Sequence, residues 1–529
     1  MRILIVFVAS LFLNGCYQKE SEKIDSLVYC TENAPLSFNP QIAHDVATLD
    51  ASTYQLYNRL IKTDPISQSF VADLATDWSI SADKLSYTFY LRKKVQFHQS
   101  ERFTPSRFFN ADDVLFSFKR LLDESTAYYD LYQDSFTMPL HYLLRDIQKI
   151  DDYTVKFILK KPNATLLANL AAPYSVILSA EYAQQLSEAK DNERIDYSPI
   201  GTGPYQLKNA TQALQRYEAF PRYWGKKAQI KHLIYAVTPS STKRYTKLLS
   251  GECDVITYPA PSQLKQIGRN SQVILNSTPT ENVIYLAFNT QKYPFKRLQV
   301  RKSISLAIDR QTLVKALFFQ SAVITNSLLS NRSWAFNPQV KDVIYNAQES
   351  RKQLQNLNFD FKQKLIILIA KNDAAISPNF PKTAEFIQAN LAEIGVNSKI
   401  ISLPPRELKR RLVRADYDIY ISGMNIQSND PDSLFSSLLS CNIKVLEGNT
   451  SRWCSPETDK LLTAARLENR FTQRILNYYK LQSFVQEMRP YLAIAHVFRM
   501  DAFNINIKGL YVDPLAGINF QHVNKIKEP

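Results

Sequence analysis

The sequence predicts an α/β protein built from more than one lobe, on three observations. At 529 residues the chain is too long to grow around a single core, so two or three lobes are expected. Leu365 to Ala370, Pro381 to Ile394 and Val396 to Ile401 read as strand, helix and strand, the signature of a parallel pair joined by a helix. Two strongly apolar runs, Asn282 to Asn289 and Leu492 to Phe498, read as the strands on which the chain leaves its first lobe and returns. Hydrophobic residues make up 45% and charged residues 21% of the chain, which is the balance of a soluble globular protein.

The first stretch is an address. Arg2 precedes an apolar run, Ile3 to Leu13, and then Asn14-Gly15-Cys16. The run is too short to span a bilayer and has the shape of a signal-peptide core. Leu13-Asn14-Gly15-Cys16 resembles the lipobox of bacterial lipoproteins. Residues 1–15 are therefore expected to be removed, Cys16 to carry a lipid, and residues 16–25 to act as a polar tether. Cleavage without lipid is the alternative. No later segment is apolar enough to cross a membrane, which places the body outside the cytoplasm, in the periplasm or at the cell surface, anchored to the membrane through Cys16.

The net charge is +15, but Lys and Arg are spread along the chain. With no basic tail or zinc-finger spacing, nucleic acid is not an expected partner; the basic surface tolerates anionic neighbours. After Cys16, four cysteines remain: Cys30, Cys253, Cys441 and Cys454. An even number in an oxidising compartment suggests two disulfides, with three possible connectivities. Cys441 with Cys454 is the natural local pair, which would leave Cys30 to close a long loop with Cys253. No metal site is expected, because no pair has CxxC spacing and the six His are scattered. No cofactor is called for.

Taken in order, Ser26 to Cys30 reads as an edge or first strand, Thr53 to Ile61 as a short helix, and Ala72 to Ile80 as a turn carrying Trp78. Leu85 to Leu91 alternates as a half-buried strand does. Asn110 caps a helix through Arg120, with Asp112 and Asp113 in the first turn where the helix dipole favours them. Asp152 to Leu159 is a second alternating strand. Pro199-Ile-Gly-Thr-Gly-Pro204 is a sharp turn into a strand at Tyr205; it holds only two of the three glycines of a dinucleotide loop. Thr242 to Leu249 reads as a helix and Gly251 to Ile256 as a turn into a strand. Val300 to Ala316 reads as one helix. Gly395 ends the helix that starts at Pro381, Glu407 to Arg414 is a basic helix, and Gln473 to Met488 is amphipathic.

The most informative stretch runs from Asp418 to Cys454. An apolar run, Ile419 to Ser422, is broken by Gly423. A polar loop follows, and Asp430-Pro431 caps a helix with Leu434, Phe435, Leu438 and Leu439 on one face. Such a loop leaves the carboxyl end of a strand, where open α/β sheets place ligands.

These pieces resemble the peptide- and nickel-type extracellular solute-binding proteins of ABC importers, over essentially all of the chain after Cys16. The resemblance rests on Leu56-Tyr-Asn-Arg-Leu60, Leu74-Ala-Thr-Asp-Trp78, Tyr87 to Arg92, Asn110 to Val114, Pro199 to Pro204, and Arg301 with Ala307-Ile-Asp309. Ser428 to Ser433, Leu438 to Cys441, Arg452 to Cys454, Ser333 to Ala335 and Gly509 to Pro514 point to the dipeptide-binding and Sap-type branches. The resemblance implies a two-lobe, type II periplasmic-binding-protein fold with mixed sheets, two hinge crossings and an extra subdomain in the first lobe. The lobes are expected at 26–280 and 281–498, with 499–529 returning to the first. It also implies disulfides Cys30–Cys253 and Cys441–Cys454, a peptide ligand, an ABC permease in the inner membrane as partner, and a monomer.

The ligand-lining set carried over is Val46 from the first lobe and Asp373, Ala374, Ile376, Met424, Asn425, Gln427 and Asn429 from the second. Relatives hold the ligand amino group with an Asp and its carboxylate with an Arg. Here Gln427 stands at the Asp position, Ala374 at the Arg position and Met424 at an aromatic position. Gln cannot neutralise an ammonium and Ala cannot hold a carboxylate. A longer or modified peptide is therefore expected in preference to a free dipeptide, with Asp373 as a substitute partner for the amino group. A non-peptide ligand such as haem, or an antimicrobial peptide, is the alternative, and a structural or adhesive lipoprotein the second. An enzyme is not expected: no GxSxG elbow or HExxH pair appears, and His98 and His496 lie in strand-like contexts where structural roles prevail.

Overall fold

The computed structural model describes residues 25–43, 45–120, 122–124, 128–129, 139–371, 380–426 and 428–526. Cys16, Asp373, Ala374, Ile376 and Gln427 lie outside the described residues. The chain opens with β1 (Ser26–Thr31) and helix α1 (Val46–Ser52), followed by a short hairpin, β2 (Ile61–Thr63) and β3 (Phe70–Ala72). Next come β4 (Ala75–Ile80), β5 (Ser86–Leu91), α2 (Ala111–Lys119), β6 (Leu144–Asp151) and β7 (Thr154–Leu159). These four strands form a separate antiparallel sheet in the order β4-β5-β7-β6. Alternation drives it: Tyr87, Phe89 and Leu91 turn inward with Val155 and Phe157, and Phe118 of α2 meets the Phe157 ring at 5.4 Å. Asn110 and Asp113 form a reciprocal capping box at the start of α2.

The chain then enters the main sheet with β8 (Tyr205–Ala210), β9 (Leu214–Ala219), β10 (His232–Val237), helix α3 (Ser241–Leu249) and β11 (Val255–Thr257). The long β12 (Val273–Phe288) leads to α4 (Leu298–Leu306), α5 (Arg310–Leu317), β13 (Ala322–Ile324) and β14 (Leu365–Ala370). After α6 (Phe380–Glu393) come β15 (Ser398–Leu403), α7 (Pro405–Val413), β16 (Ile419–Met424) and α8 (Pro431–Leu439). Helices α9 (Pro456–Leu467) and α10 (Phe471–Met488) precede the last long strand, β17 (Tyr491–Asn504). The main sheet has the order β15-β14-β16-β12-β17-β11-β1-β10-β9-β8, with β13 paired to β17. It is mixed: β1 is parallel to β10 and β11, and β14 is parallel to β15 and β16. The ladder that joins its two ends is antiparallel, between β12 and β17.

Burial divides at that ladder. One core draws on residues from Leu27 to Val255 and takes Ile507, Val512, Ile518, Phe520 and Val523 from the tail. Two further clusters lie on opposite faces of the sheet and contain only residues from Val283 to Val497. Ile367 and Ile369 face one of them and Leu368 and Ala370 the other, so β14 is apolar on both sides, as a parallel strand covered on both faces must be. The β12–β17 pairing is irregular between Pro279 and Val283. Pro279 has no N–H to give to a ladder, and such positions are where sheets bend.

Ser26 to Thr31 is the first strand, one of its two expected roles, and it is interior rather than an edge, because β10 and β11 pair with its two sides. Four local expectations are corrected. Ala75 to Ile80 is a strand rather than a turn, paired with β5. Gly423 does not break its strand: the ladder uses only backbone, and Gly423 pairs with Ile284. The helix expected at Val300 to Ala316 is two helices, because the Asp309 side chain accepts from Thr312 N and caps a new start. The helix expected at Thr53 to Ile61 lies earlier, at α1.

The reason for that last shift is the turn at Gly201 and Gly203. Gly203 N donates to Leu56 O at 2.9 Å and Tyr205 N to Gln55 O at 2.9 Å, so the backbone after α1 is committed to this turn. A Cβ on Gly203 would meet Gln55 O at 2.4 Å. Gly203→Ala is expected to destabilise the protein by about 1–3 kcal/mol or more, read as a lower urea midpoint.

The two histidines are structural. His98 Nε2 lies 2.9 Å from Gly203 O, and Gly201 N donates to its Nδ1 at 3.3 Å. His496 faces the carbonyls of Asn282 and Ser327. Burial lowers both to about 4, against about 6.5 in an unfolded chain. Between those values the unfolded chain binds the extra protons. Stability is thus complete above pH 6.5 and falls as the pH drops toward 4, by about 1.4 kcal/mol per pH unit for each His. Urea midpoints of the protein and of His98→Gln, compared at pH 7 and pH 5, measure this; the variant should lose less.

Candidate functional site

The loop after β16 is held from three sides. Met424, its last strand residue, pairs with Val283 of β12 and packs on the second body's core. Asn425 is half-buried, and Ile426 N donates to Asn282 Oδ1 of β12 at 2.9 Å. Trp334 Nε1 donates to Asn429 O at 3.2 Å. Asp430 then caps α8 by accepting from Asp432 N, with Pro431 at the first helical position, where a missing N–H costs nothing.

Beneath the loop, Arg474 donates to Asp430 from both terminal nitrogens, at 2.7 and 2.8 Å. Both side chains are buried, 8% and 6% exposed. Burial works against the Arg474 charge, but Asp430, Tyr478 and Asp432 together outweigh burial and hold the guanidinium more firmly protonated. A paired, hydrogen-bonded charge is the form in which burial is tolerated. The pair pins the start of α8 and so aims the loop in front of it.

The loop faces the first body. Asn429 Nδ2 donates to Gln68 Oε1 at 3.3 Å, reaching the β2–β3 hairpin. Ala164 N donates to Arg466 O at 2.9 Å, and Leu515 of the tail packs against the second body's core. Between these contacts is a cleft of about 380 Å³, its open mouth included. Tyr54, Arg59, Thr63, Pro65 and Gln68 line it, with Ala171, Pro173 and the tail residues Tyr511 and Asp513 to Ala516; Asn429 closes it from the second body.

Of the residues expected from the sequence to meet a ligand, Asn429 lines this cleft, and Met424 and Asn425 stand on the same strand and loop. Val46 is the half-buried first residue of α1, behind its cap Asp45. Tyr54, Arg59, Gln68, Tyr511 and Asp513 also line the cleft without having been expected there from the sequence. Three of them fall inside the quoted motifs: Leu56 to Leu60 holds Arg59, and Gly509 to Pro514 holds Tyr511 and Asp513. Both disulfides are formed, Cys30–Cys253 with Cα atoms 5.9 Å apart and Cys441–Cys454 at 4.6 Å. The second staples the segment that follows α8.

Comparison with known proteins gives a consistent answer. A sequence model described as bacterial extracellular solute-binding proteins, family 5 middle, matches residues 69–445. The chain is 34% identical over 509 residues to the dipeptide-binding protein of Escherichia coli, covering 95% of each chain. It is 35% identical over 508 residues to the peptide transport periplasmic protein SapA of Salmonella typhimurium, covering 94% of this chain and 92% of that one. A solved dipeptide-binding protein from a Pseudoalteromonas species, in complex with Met-Leu, superposes with a TM-score of 0.86 at 35% identity, over 94% of this chain and 100% of that one.

Proposed function

The chain belongs to the bacterial extracellular solute-binding proteins of family 5, and on that premise we propose that it captures peptides outside the cytoplasm and hands them to an ABC permease. The observation that carries this reading is the cleft closed by Asn429 and Gln68 between two separately cored bodies. The bodies are residues 26–280 and 281–498, with 499–529 returning to the first. The hinge is the β12–β17 ladder, whose irregular stretch at Pro279 to Val283 absorbs the bend as the cleft opens and shuts. Cys16 carries the lipid that keeps the binder beside its membrane, so Cys16→Ala should move the protein from the membrane fraction to the soluble fraction.

The ligand is a peptide longer than two residues, or a modified one. With Gln427 and Ala374 at the two anchor positions, a free dipeptide finds neither charge partner there, and the lost ion pairs must be replaced by contacts along a longer backbone. Calorimetry with dipeptides and pentapeptides tests this. Pentapeptides should bind at least about tenfold tighter and, at a hundredfold excess over Kd, stabilise the protein by about 2.7 kcal/mol. Micromolar dipeptide binding with no length preference would overturn it. Mass spectrometry of ligand retained through purification would name the natural guest.

A further inference from the structure

The cleft holds a buried cation without a carboxylate against it. Arg59 is 4% exposed and lines the cleft. Its Nη1 donates to Ala171 O at 3.1 Å, and its guanidinium lies 5.2 Å from the centre of the Tyr54 ring. Among the described residues Arg59 enters no ion pair within 4.0 Å.

Three other buried arginines of this chain, Arg301, Arg474 and Arg499, are committed. Arg474 and Arg499 are each held by a carboxylate gripped at both ends. Arg301 spends its donors on the carbonyls of Phe295, Lys296, Met488 and Arg489. A guanidinium has five N–H donors; among the described residues the acceptors of Arg59 are Ala171 O and the neighbouring Tyr54 oxygen. Among the described residues no Arg59 nitrogen is both sealed from solvent and unbonded, as Arg310 Nε is, and Arg59 borders the cleft.

The acids whose fields reach Arg59 are Asp73 and Asp513, and both are occupied. Asp73 accepts from the Arg59 backbone N at 2.9 Å and from Asn58 Nδ2 at 3.3 Å. Asp513 accepts from the Tyr54 hydroxyl at 2.6 Å and from Leu515 N and Ala516 N at 2.8 and 2.9 Å. Removing water from a cation favours a charged, preferably two-pronged, acceptor, and closing Asn429 onto Gln68 does that here.

We propose that Arg59 takes a carboxylate of the ligand, either a peptide C-terminus or an acidic side chain, in the slot that Gln68 and Asn429 shut. This rests on the peptide-capture reading above and supplies the anion partner that Ala374 does not. Three pentapeptides of otherwise equal sequence test it by calorimetry: a free acid, its neutral C-terminal amide, and the amide with one Glu. The free acid or the Glu-bearing amide should bind about tenfold or more tighter than the neutral amide, as a charged hydrogen bond requires. Whichever wins identifies the source of the carboxylate. Arg59→Gln should abolish the difference, and Arg59→Lys should keep part of it. The comparison within the unaltered protein holds even if a variant folds poorly. Equal binding of all three would overturn the assignment to Arg59 and leave peptide capture standing, as would a preference that survives Arg59→Gln. Binding of none would remove both readings.

Discussion

Arg499→Ala is expected to cost about 3–5 kcal/mol of stability, the penalty for stripping one member from a buried charge network. Arg499 donates to Asp50 through Nη1 and Nη2 at 2.7 and 2.9 Å, and to Asp501 through Nε at 3.0 Å. The side chains of Arg499, Asp50 and Asp501 are 5%, 1% and 0% exposed. Tyr29 donates to Asp50 at 2.6 Å, and Ile518 N donates to the same carboxylate at 3.0 Å. One guanidinium on β17 thus ties together α1, β1 and the tail. Burial, helped by the neighbouring Asp50 charge, raises Asp501, and Arg499 pulls against it. In the variant that opposition is gone, so the buried Asp501 carboxyl binds a proton still more readily folded than unfolded. The deficit against the parent protein should therefore shrink as pH falls from 7 toward 5. Urea unfolding at the two pH values reads both quantities; a variant within 1 kcal/mol of the parent at pH 7 would show that the network is not what joins these elements.

The paired replacement of Cys30 and Cys253 by alanine is the other large effect. Their bridge spans 223 residues, and the chain-entropy account assigns a loop of that size roughly 5 kcal/mol. The bridge joins β1 to the turn before β11, in a small cluster with Tyr245, Leu248, Ile256 and Ala502. Loss should appear as a lower denaturation midpoint and slower refolding. Replacing Cys441 and Cys454, 13 residues apart, should cost less, roughly 3 kcal/mol. Equal losses from the two pairs would mean that loop length is not the governing quantity.

Several elements were legible because their signals are local. Asn110 and Asp113 announce their capping box within four residues, and Asp430-Pro431 announces the start of α8 just after the site loop. Leu365 to Ala370 shows an apolar run of strand length, and Gly395, at a φ of +83°, marks a helix end that favours glycine. The elements misread or left open are of the opposite kind. The backbone at Gln55 to Tyr57 is claimed by Gly203, far along the chain, and β1 became interior because strands roughly 200 residues later settled on both its sides.

The site divides in the same way. Asn429 and Met424 could be placed by counting from Asp430. Arg59 lay inside a recognised motif, but nothing in its neighbourhood marks it as facing a cleft, since that is decided by Ala171, the tail at Tyr511 to Ala516 and the loop of the second body.

The sequence by itself determined the alternation of strands and helices, the caps and the stock of cysteines, because each follows from spacing within a few residues or from composition. Only the tertiary structure decided that Asp50 meets Arg499 across 449 residues, that β12 pairs with β17, and that Arg59 comes to line a cleft. Those outcomes turn on burial and on which charges find partners in three dimensions, and no local window of the chain contains both members of such a pair.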